Sequence, residues 1–204
     1  MIEKLQAYFG TNFRDVNLND KLVERLTDYF NGVTGHLDTS KGLLLHGEYG
    51  TGKTDFFRAA FCGLTKKFNV PHQRDGEESV IDRKIGYRII KTRDIRDMFT
   101  VDRDSYNTLK SIEYLVIDDL GQEATGLIYG ADVNPVSELI DARYEWREES
   151  IRTGSIVPYT FFTTNLNPHD EFFEKNIGGR IRSRLDSLIG VKNFVPLVGV
   201  SLRK

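Results

Sequence analysis

Short apolar runs alternate along the chain with segments of helical periodicity. The runs predict β-strands, because strands covered on both faces of a sheet are almost entirely apolar. They cover residues 42–46, 87–90, 114–117, 158–163 and 194–198. Since strands that alternate with helices are typical of a parallel sheet, the pattern predicts an α/β fold with a central parallel sheet between two helical layers.

The segments between these runs place their apolar residues on one helical face. Asn134 followed by Pro135 is typical of a helix start, since Asn caps well and Pro fits the first turn. The polar stretch 72–84 shows no periodicity and predicts an exposed loop. The predicted helices cover residues 22–30, 56–64, 92–99, a segment that begins at 134–135, and 171–188 with a break at 178–179.

Composition narrows the class of protein further. A chain of 204 residues with 39% hydrophobic residues is the right size for one compact domain with a short appendage. A net charge of -2 gives no overall attraction to nucleic acid or to anionic membranes, so any nucleic-acid site must be local. One cysteine excludes an internal disulfide framework, and four scattered histidines form no metal-ligand spacing. Without a leader or membrane-spanning run, we expect a soluble, cytoplasmic protein.

The segment 47–54 carries the clearest chemistry. It satisfies the pattern G-x-x-x-x-G-K-[ST], in which backbone N–H groups wrap the phosphates of a nucleotide. A glycine-rich turn is the plain alternative, but the segment lies between a predicted strand and a predicted helix, as a phosphate cradle requires. We expect Lys53 to neutralise the β- and γ-phosphates of ATP and Thr54 to ligate Mg²⁺. The predicted nucleotide-binding residues are Gly47, Glu48, Tyr49, Gly50, Thr51, Gly52, Lys53 and Thr54.

Polar residues follow two further predicted strands. Asp118 can reach the magnesium shell from its strand end, and Asp119 can face the γ-phosphate and its attacking water. An acidic turn after a buried strand is the alternative. Asn165 ends another strand, and in a parallel sheet it would lie at the same edge and orient that water. Asn165 is also a good turn former.

Three arginines lie on the last predicted helix. A spacing of four places Arg180 and Arg184 on one face, with Arg182 elsewhere. A guanidinium that reaches the γ-phosphate of a neighbouring subunit would stabilise transition-state charge, the role called an arginine finger. The alternative is surface salt bridging with Asp186 or Glu174.

Taken together, these residues resemble the AAA+ ATPases, and within them the DnaC-type helicase loaders and IstB-type transposition ATPases. The resemblance covers the chain from about Phe13 to its C-terminus. Its marks, in the family's order, are GEYGTGKT at 47–54, YLVIDDLG at 114–121, ELIDARYE at 138–145, TTNL at 163–166 and RIRSRL at 180–185, with an ending at 199–203 that is also similar.

The resemblance implies roles and an organisation. Asn165 is similar to sensor 1 and Arg180 to the arginine finger, and Arg184 becomes a second candidate for an interface or nucleotide-sensing role. We expect an AAA+ core over residues 41–204 and an N-terminal extension and linker over 1–40. The family's separate N-terminal partner domain and a C-terminal helical lid are not evident, so a standard sensor 2 arginine is not evident either.

The family also implies partners. Its members bind single-stranded DNA in a helical or ring assembly, and the candidates here are Lys91, Arg93, Arg96 and Phe99, although an ordinary amphipathic helix explains them equally well. The predicted function is an oligomerising ATPase that binds single-stranded DNA and loads or remodels a replicative helicase. Two alternatives stay open: a helper that delivers a transposase to DNA, and a non-catalytic adaptor that uses ATP only for assembly.

Overall fold

A computed structural model describes residues 20–61, 65–71, 78–84, 86–121 and 134–198. The helices, in chain order, are α1 (Asp20–Phe30), α2 (Lys53–Phe61), α3 (Thr92–Val101), α4 (Arg103–Lys110), α5 (Pro135–Thr153), α6 (Glu171–Ile177) and α7 (Gly179–Leu188). The strands are β1 (Leu44–His46), β2 (Thr65–Pro71), β3 (Glu78–Lys84), β4 (Tyr87–Lys91), β5 (Tyr114–Asp118), β6 (Tyr159–Thr164) and β7 (Phe194–Pro196).

Five of these strands form one parallel sheet in the order β4, β5, β6, β1, β7. The strand β6 therefore lies between β1 and β5, although it follows both in the chain. Parallel pairing brings the carboxyl ends of all five strands to one edge of the sheet. The loop after β1 and the residues that end β4, β5 and β6 consequently meet there.

Alternate strand residues enter two separate cores, one on each face of the sheet. Leu44 and Phe162 join the core on the side of α3 to α7, whereas Leu45 and Phe161 join the core on the side of α1 and α2. All four side chains are fully buried. Helices thus cover both faces, which confirms the predicted α/β fold with three layers and a central parallel sheet.

The segment that leads into β1 is tied to the core. The buried Asn193 donates from Nδ2 to the carbonyls of Asp38 (2.8 Å) and Gly42 (2.7 Å) and accepts from the Asp38 amide (2.8 Å). Helix α1 packs on the same core as α2. The division of the chain at residue 40 stays a prediction.

The start of α5 agrees with the sequence. Asn134 accepts hydrogen bonds at Oδ1 from the amides of Val136 (3.0 Å) and Ser137 (3.1 Å), and Pro135 opens the helix. Gly154 ends it at φ 68°. The break at residues 178–179 is also confirmed, since α6 ends at Ile177 and α7 begins at Gly179.

Two expectations were wrong or incomplete. The stretch 72–84 was predicted as an exposed loop, but β3 occupies its second part and pairs antiparallel with β2 from Thr65↔Lys84 to Pro71↔Glu78. Backbone hydrogen bonds between the two strands form whatever the side-chain pattern, so the absence of periodicity did not exclude a hairpin. Helix α4 was not predicted. The predicted ends of the chain's resemblance, at Phe13 and at 199–203, and the predicted helix end at Leu64 lie outside the described residues.

Candidate functional site

A loop with three left-handed glycines connects β1 to α2. Gly47, Gly50 and Gly52 have φ values of 146°, 79° and 86°. At Gly47 a Cβ atom would also lie 2.1 Å from the carbonyl oxygen of Leu197, which follows β7. Glycine is therefore required there both by the backbone angle and by the close approach of the neighbouring chain.

Lys53 begins α2 and folds back over this loop. Its side chain is buried, with 5% of the residue exposed. The Nζ atom donates to the carbonyls of Gly47 (2.8 Å) and Glu48 (2.7 Å) and to Oδ1 of Asn165 (2.8 Å). The ammonium group is thus held at the centre of the loop and is joined directly to the residue that follows β6.

Two proposed magnesium ligands are in contact. Thr54 donates from Oγ1 to Oδ1 of Asp118 at 2.7 Å, and the same carboxylate oxygen accepts from Oγ1 of Thr163 at 2.6 Å. Asp118 and Thr163 are both buried. A hydroxyl and a carboxylate fit Mg²⁺, which takes one or two protein carboxylates and obtains its other ligands from phosphates and water. The described residues hold no cluster of three or more His, Cys, Asp or Glu that would bind a metal alone.

Asp119 has an unusual backbone conformation. Its φ is 62°, the only left-handed value among the described non-glycine residues. Hydrogen bonds hold it in place: the Asp119 amide donates to Oγ1 of Thr163 (2.9 Å), and Thr92 donates to its carbonyl (3.2 Å). Strained backbone of this kind persists where the surrounding structure determines it, and it is typical of functional sites. Asn165 donates to Oδ1 of Asp119 at 3.4 Å.

Several of these side chains line one cleft of about 280 Å³ at the carboxyl edge of the sheet, whereas Asp118 and Thr163 are buried and do not line it. Because β6 separates β1 from β5, Asn165 lies between the loop and the two aspartates and contacts both Lys53 and Asp119. Gly47 and Glu48 contribute their backbone carbonyls, which accept hydrogen bonds from Nζ of Lys53. The residues that line the cleft are Tyr49, Gly50, Thr51, Gly52, Lys53, Thr54, Asp55, Lys91, Asp119 and Asn165.

Two of the residues at this site were not predicted to act there. Lys91 ends β4 opposite Asp118, and its Nζ lies 3.9 Å from Oδ2 of Asp119. Thr163 bridges the Asp118 carboxylate and the Asp119 amide. The pattern after each predicted strand carried the signal for Lys91, because β4 also ends in a charged residue. Thr163 begins the TTNL stretch that carries part of the resemblance, but no pattern in the sequence assigns it a role of its own.

The four DNA-binding candidates have different surroundings. Lys91 lies in the cleft, whereas Arg93 is exposed on α3. The guanidinium of Arg103 covers the ring of Phe99 at 3.5 Å from its centroid. The same ring packs edge-on against Tyr106. These contacts describe the amphipathic helix that the sequence left open as the alternative.

Arg180 and Arg184 lie on one face of α7, as their spacing predicts. Nη2 of Arg180 is 2.7 Å from Oδ2 of Asp141, and Nε of Arg184 is 2.9 Å from Oδ1 of the same residue. Asp141 belongs to α5, so neither Asp186 nor Glu174 is the partner of these two arginines. It is Arg182 that pairs with Asp186, at 3.4 Å. We call Arg180, Arg184 and Asp141 the arginine face; it contributes no residue to the cleft lining of the same subunit.

The two ends of the arginine face differ in exposure. The side chain of Arg180 is 73% exposed. The guanidinium of Arg184 stacks on Tyr144 at 4.2 Å from the ring centroid. The hydrogen bond with Asp141 raises the pKa of Arg184 above its usual value. Arg180 is therefore the group that can extend to another molecule.

A histidine lies directly before the glycine-rich loop. His46 ends β1, immediately before Gly47, and its ring lies 6.1 Å from that of His169. Burial, followed by the nearby His169 and Lys53, lowers the pKa of His46 to about 4. The imidazole is therefore neutral at physiological pH and adds no charge beside Lys53.

No helix among the described residues is both long enough and apolar enough to cross a membrane. No protein-family model and no curated protein matches the chain. Among solved structures the chain is similar to one described as the crystal structure of the DnaI, with a TM-score of 0.48 and 20% identity over 87% of this chain and 84% of that chain. The functional conclusion rests on the residues of the cleft and of the arginine face.

Proposed function

We propose that the chain is an oligomerising ATPase of the AAA+ type, which hydrolyses Mg-ATP at a site shared by two subunits. The observation that carries this proposal is the connected set of polar contacts in the cleft. Lys53, Asn165 and Asp119 are joined by hydrogen bonds, and Thr54 is joined to Asp118. A glycine-rich turn or an acidic turn alone would not require these groups to converge.

The residues of the cleft have different roles in the proposed hydrolysis of ATP. The amides of the glycine loop and Lys53 bind and neutralise the phosphates. Thr54 and Asp118 would hold Mg²⁺, which would supply Lewis-acid stabilisation of the phosphoryl oxygens. Asp119 accepts a hydrogen bond from the attacking water and receives its proton, while Asn165 orients that water from the adjacent strand. Lys91 adds a second cation on the side of Asp119.

The second half of the site comes from a neighbouring subunit. Arg180 is mostly exposed and lies outside its own cleft, as a group that acts on another subunit must. Its guanidinium would stabilise the charge on the transferring phosphoryl group. Arg184 is the second candidate for contact with the nucleotide or the interface. Hydrolysis then depends on assembly, so the separated subunit binds ATP and turns it over slowly.

The wider role extends the motif resemblance described above. We propose a core over residues 41–204 with an N-terminal extension over 1–40, acting in the cytoplasm on single-stranded DNA and on a replicative helicase. A transposase partner and a non-catalytic adaptor are the alternative outcomes. Since Lys91 belongs to the cleft, Arg93 and Arg96 are the remaining DNA-binding candidates on α3.

Mixing two inactive variants tests the shared site. Lys53→Ala removes the phosphate-binding cation, and Arg180→Ala removes the finger, so each alone should lose hydrolysis. A mixture should regain activity, because one subunit supplies the cleft and the other supplies Arg180. Lys192→Ala, which removes an exposed lysine that belongs neither to the cleft lining nor to the arginine face, is the control. If Arg180→Ala hydrolyses ATP at the wild-type rate, the shared site is wrong, and if ATP binds without turnover in every assembly the adaptor is favoured.

Filter binding of single-stranded DNA across a salt series tests the DNA part separately. Phosphate contacts should make binding ATP-dependent and weaker as salt rises, and the double variant Arg93→Ala, Arg96→Ala should reduce it. Absence of ATP-dependent binding at low salt would remove single-stranded DNA from the proposal and leave the ATPase standing.

A further inference from the structure

We infer that Asp141 is the positioning residue of the arginine face, which holds Arg180 ready for the neighbouring subunit's ATP. The inference rests on the proposed function, because it assigns how the finger is held. Asp141 lies on α5 and has no contact with the cleft in its own subunit. It would act only through the two arginines.

The geometry of Asp141 suits it to hold two guanidinium groups at once. Both carboxylate oxygens are engaged, Oδ2 by Arg180 and Oδ1 by Arg184, at 2.7 and 2.9 Å. Only 12% of the Asp141 side chain is exposed. The carboxylate therefore sits at the base of the pair, where it is shielded from water, and directs one guanidinium outward.

Charge explains why a carboxylate is needed at this place. Arg180 and Arg184 carry like charges four positions apart on α7, so they repel one another unless an anion lies between them. Asp141 neutralises one charge and leaves the face with one net positive charge. Its removal would drive the two guanidinium groups apart, and Arg180 would move because Arg184 is also held by its stacking on Tyr144.

Preorganisation is the expected benefit. A free arginine loses rotamer freedom when it enters a partner's site, and a side chain already anchored loses less. The contact to Asp141 uses Nη2 of Arg180, and guanidinium carries five N–H donors, so Nη1 and Nε remain available to a phosphate. A finger displaced by about 1 Å can cost roughly 100-fold in rate.

The test is Asp141→Asn in the assembled protein, measured alone and mixed with Lys53→Ala. Asparagine keeps the shape and loses the charge, so we expect ATP hydrolysis to fall roughly 10- to 100-fold while ATP binding by separate subunits is retained. The mixture should regain hydrolysis, because Lys53→Ala subunits supply a correctly held Arg180 to intact clefts. A residue that merely stabilised the fold would show no such rescue.

Glu138→Gln is the matched control. Glu138 lies on the same helix and also contacts two basic residues, Arg103 and Lys110, but away from α7. Its loss should change hydrolysis by no more than about twofold, as for a surface site. Should Asp141→Asn fail to fold, Asp141→Glu keeps the charge, shifts the carboxylate outward, and should show the same loss and the same rescue.

The outcomes separate the inference from the proposal on which it rests. Wild-type hydrolysis by folded Asp141→Asn, or a loss that mixing does not restore, overturns the positioning role while Arg180→Ala still supports the shared site. Wild-type hydrolysis by Arg180→Ala overturns both.

Discussion

Lys53 lies in the cleft with 5% of its surface exposed, whereas the side chain of Arg180 is 73% exposed on α7. The cleft residues come from three strand ends and from the loop and helix start after β1, and hydrogen bonds join Lys53, Asn165 and Asp119. The arginine face comes from two packed helices and depends on one carboxylate. The comparison teaches that the cleft is assembled within one subunit from buried, mutually hydrogen-bonded groups, whereas the arginine face presents an exposed guanidinium, which is why we propose that it acts on another subunit.

The largest expected effect is on the chemistry of the cleft. Asp119→Asn should lower kcat for ATP hydrolysis on the order of 1,000-fold, because the amide cannot take the proton of the attacking water. ATP affinity should be retained, since Lys53 and the loop amides are intact. Steady-state hydrolysis and nucleotide titration measure the two quantities. Asp97→Asn on the exposed face of α3 is the control, and a matching loss there would contradict the assignment.

Two glycine substitutions compare how well the glycine-rich loop and helix α7 tolerate an added side-chain atom. Gly47→Ala combines a left-handed φ with a Cβ atom 2.1 Å from a carbonyl oxygen, so we expect a loss of about 3 kcal/mol in unfolding free energy. At Gly179 the nearest atom, Oε1 of Glu174, is 3.6 Å away, so Gly179→Ala should be neutral or stabilise α7 by up to about 1 kcal/mol. Chemical denaturation gives both values. Equal destabilisation would show that the regions do not differ.

Thr163→Val tests the support beneath the two aspartates. Valine keeps the shape but leaves the partly buried Asp119 amide without its acceptor, which should cost about 1 kcal/mol of stability. The Asp118 carboxylate also loses a donor, so Mg²⁺ affinity in the presence of ATP should fall roughly 10-fold. Magnesium titration of hydrolysis and denaturation of the variant measure these effects. Thr108→Val on the exposed face of α4 is the control. Unchanged magnesium dependence of Thr163→Val would remove Thr163 from the site.

The smallest expected effect is a pH dependence of folding stability that comes from His46, next to the glycine-rich loop. Because the folded pKa of His46 is about 4 and the unfolded value is near 6.5, the unfolded state binds more protons between these values. Stability should therefore fall as pH decreases through this window, by less than about 1 kcal/mol near pH 5.5, since solvent screens the partly exposed ring. His46→Gln should flatten this dependence in thermal unfolding curves, whereas His36→Gln should not.

Much of the fold was accessible from local pattern. The apolar runs at 114–117 and 158–163 lie within or overlap β5 and β6, because the residues of a strand covered on both faces are mostly apolar. Asn134 and Pro135 predicted the start of α5, because helix capping is a local interaction. The hairpin of β2 and β3 was missed because backbone groups make its pairing, and the side chains of 72–84 show no strand periodicity that would indicate it.

In the candidate site, too, some features follow from neighbouring residues in the sequence and others only from the tertiary structure. The sequence by itself determined the glycine loop, the acids at 118–119 and the spacing of Arg180 and Arg184, since each depends on neighbours within a few residues. Only the tertiary structure decided that β6 lies between β1 and β5, which joins Asn165 to Lys53 and Asp119. It also decided that Lys91 belongs to the cleft and that Asp141 holds both arginines. These contacts link residues far apart in the chain, and strand order and helix packing, rather than local preference, set their distances.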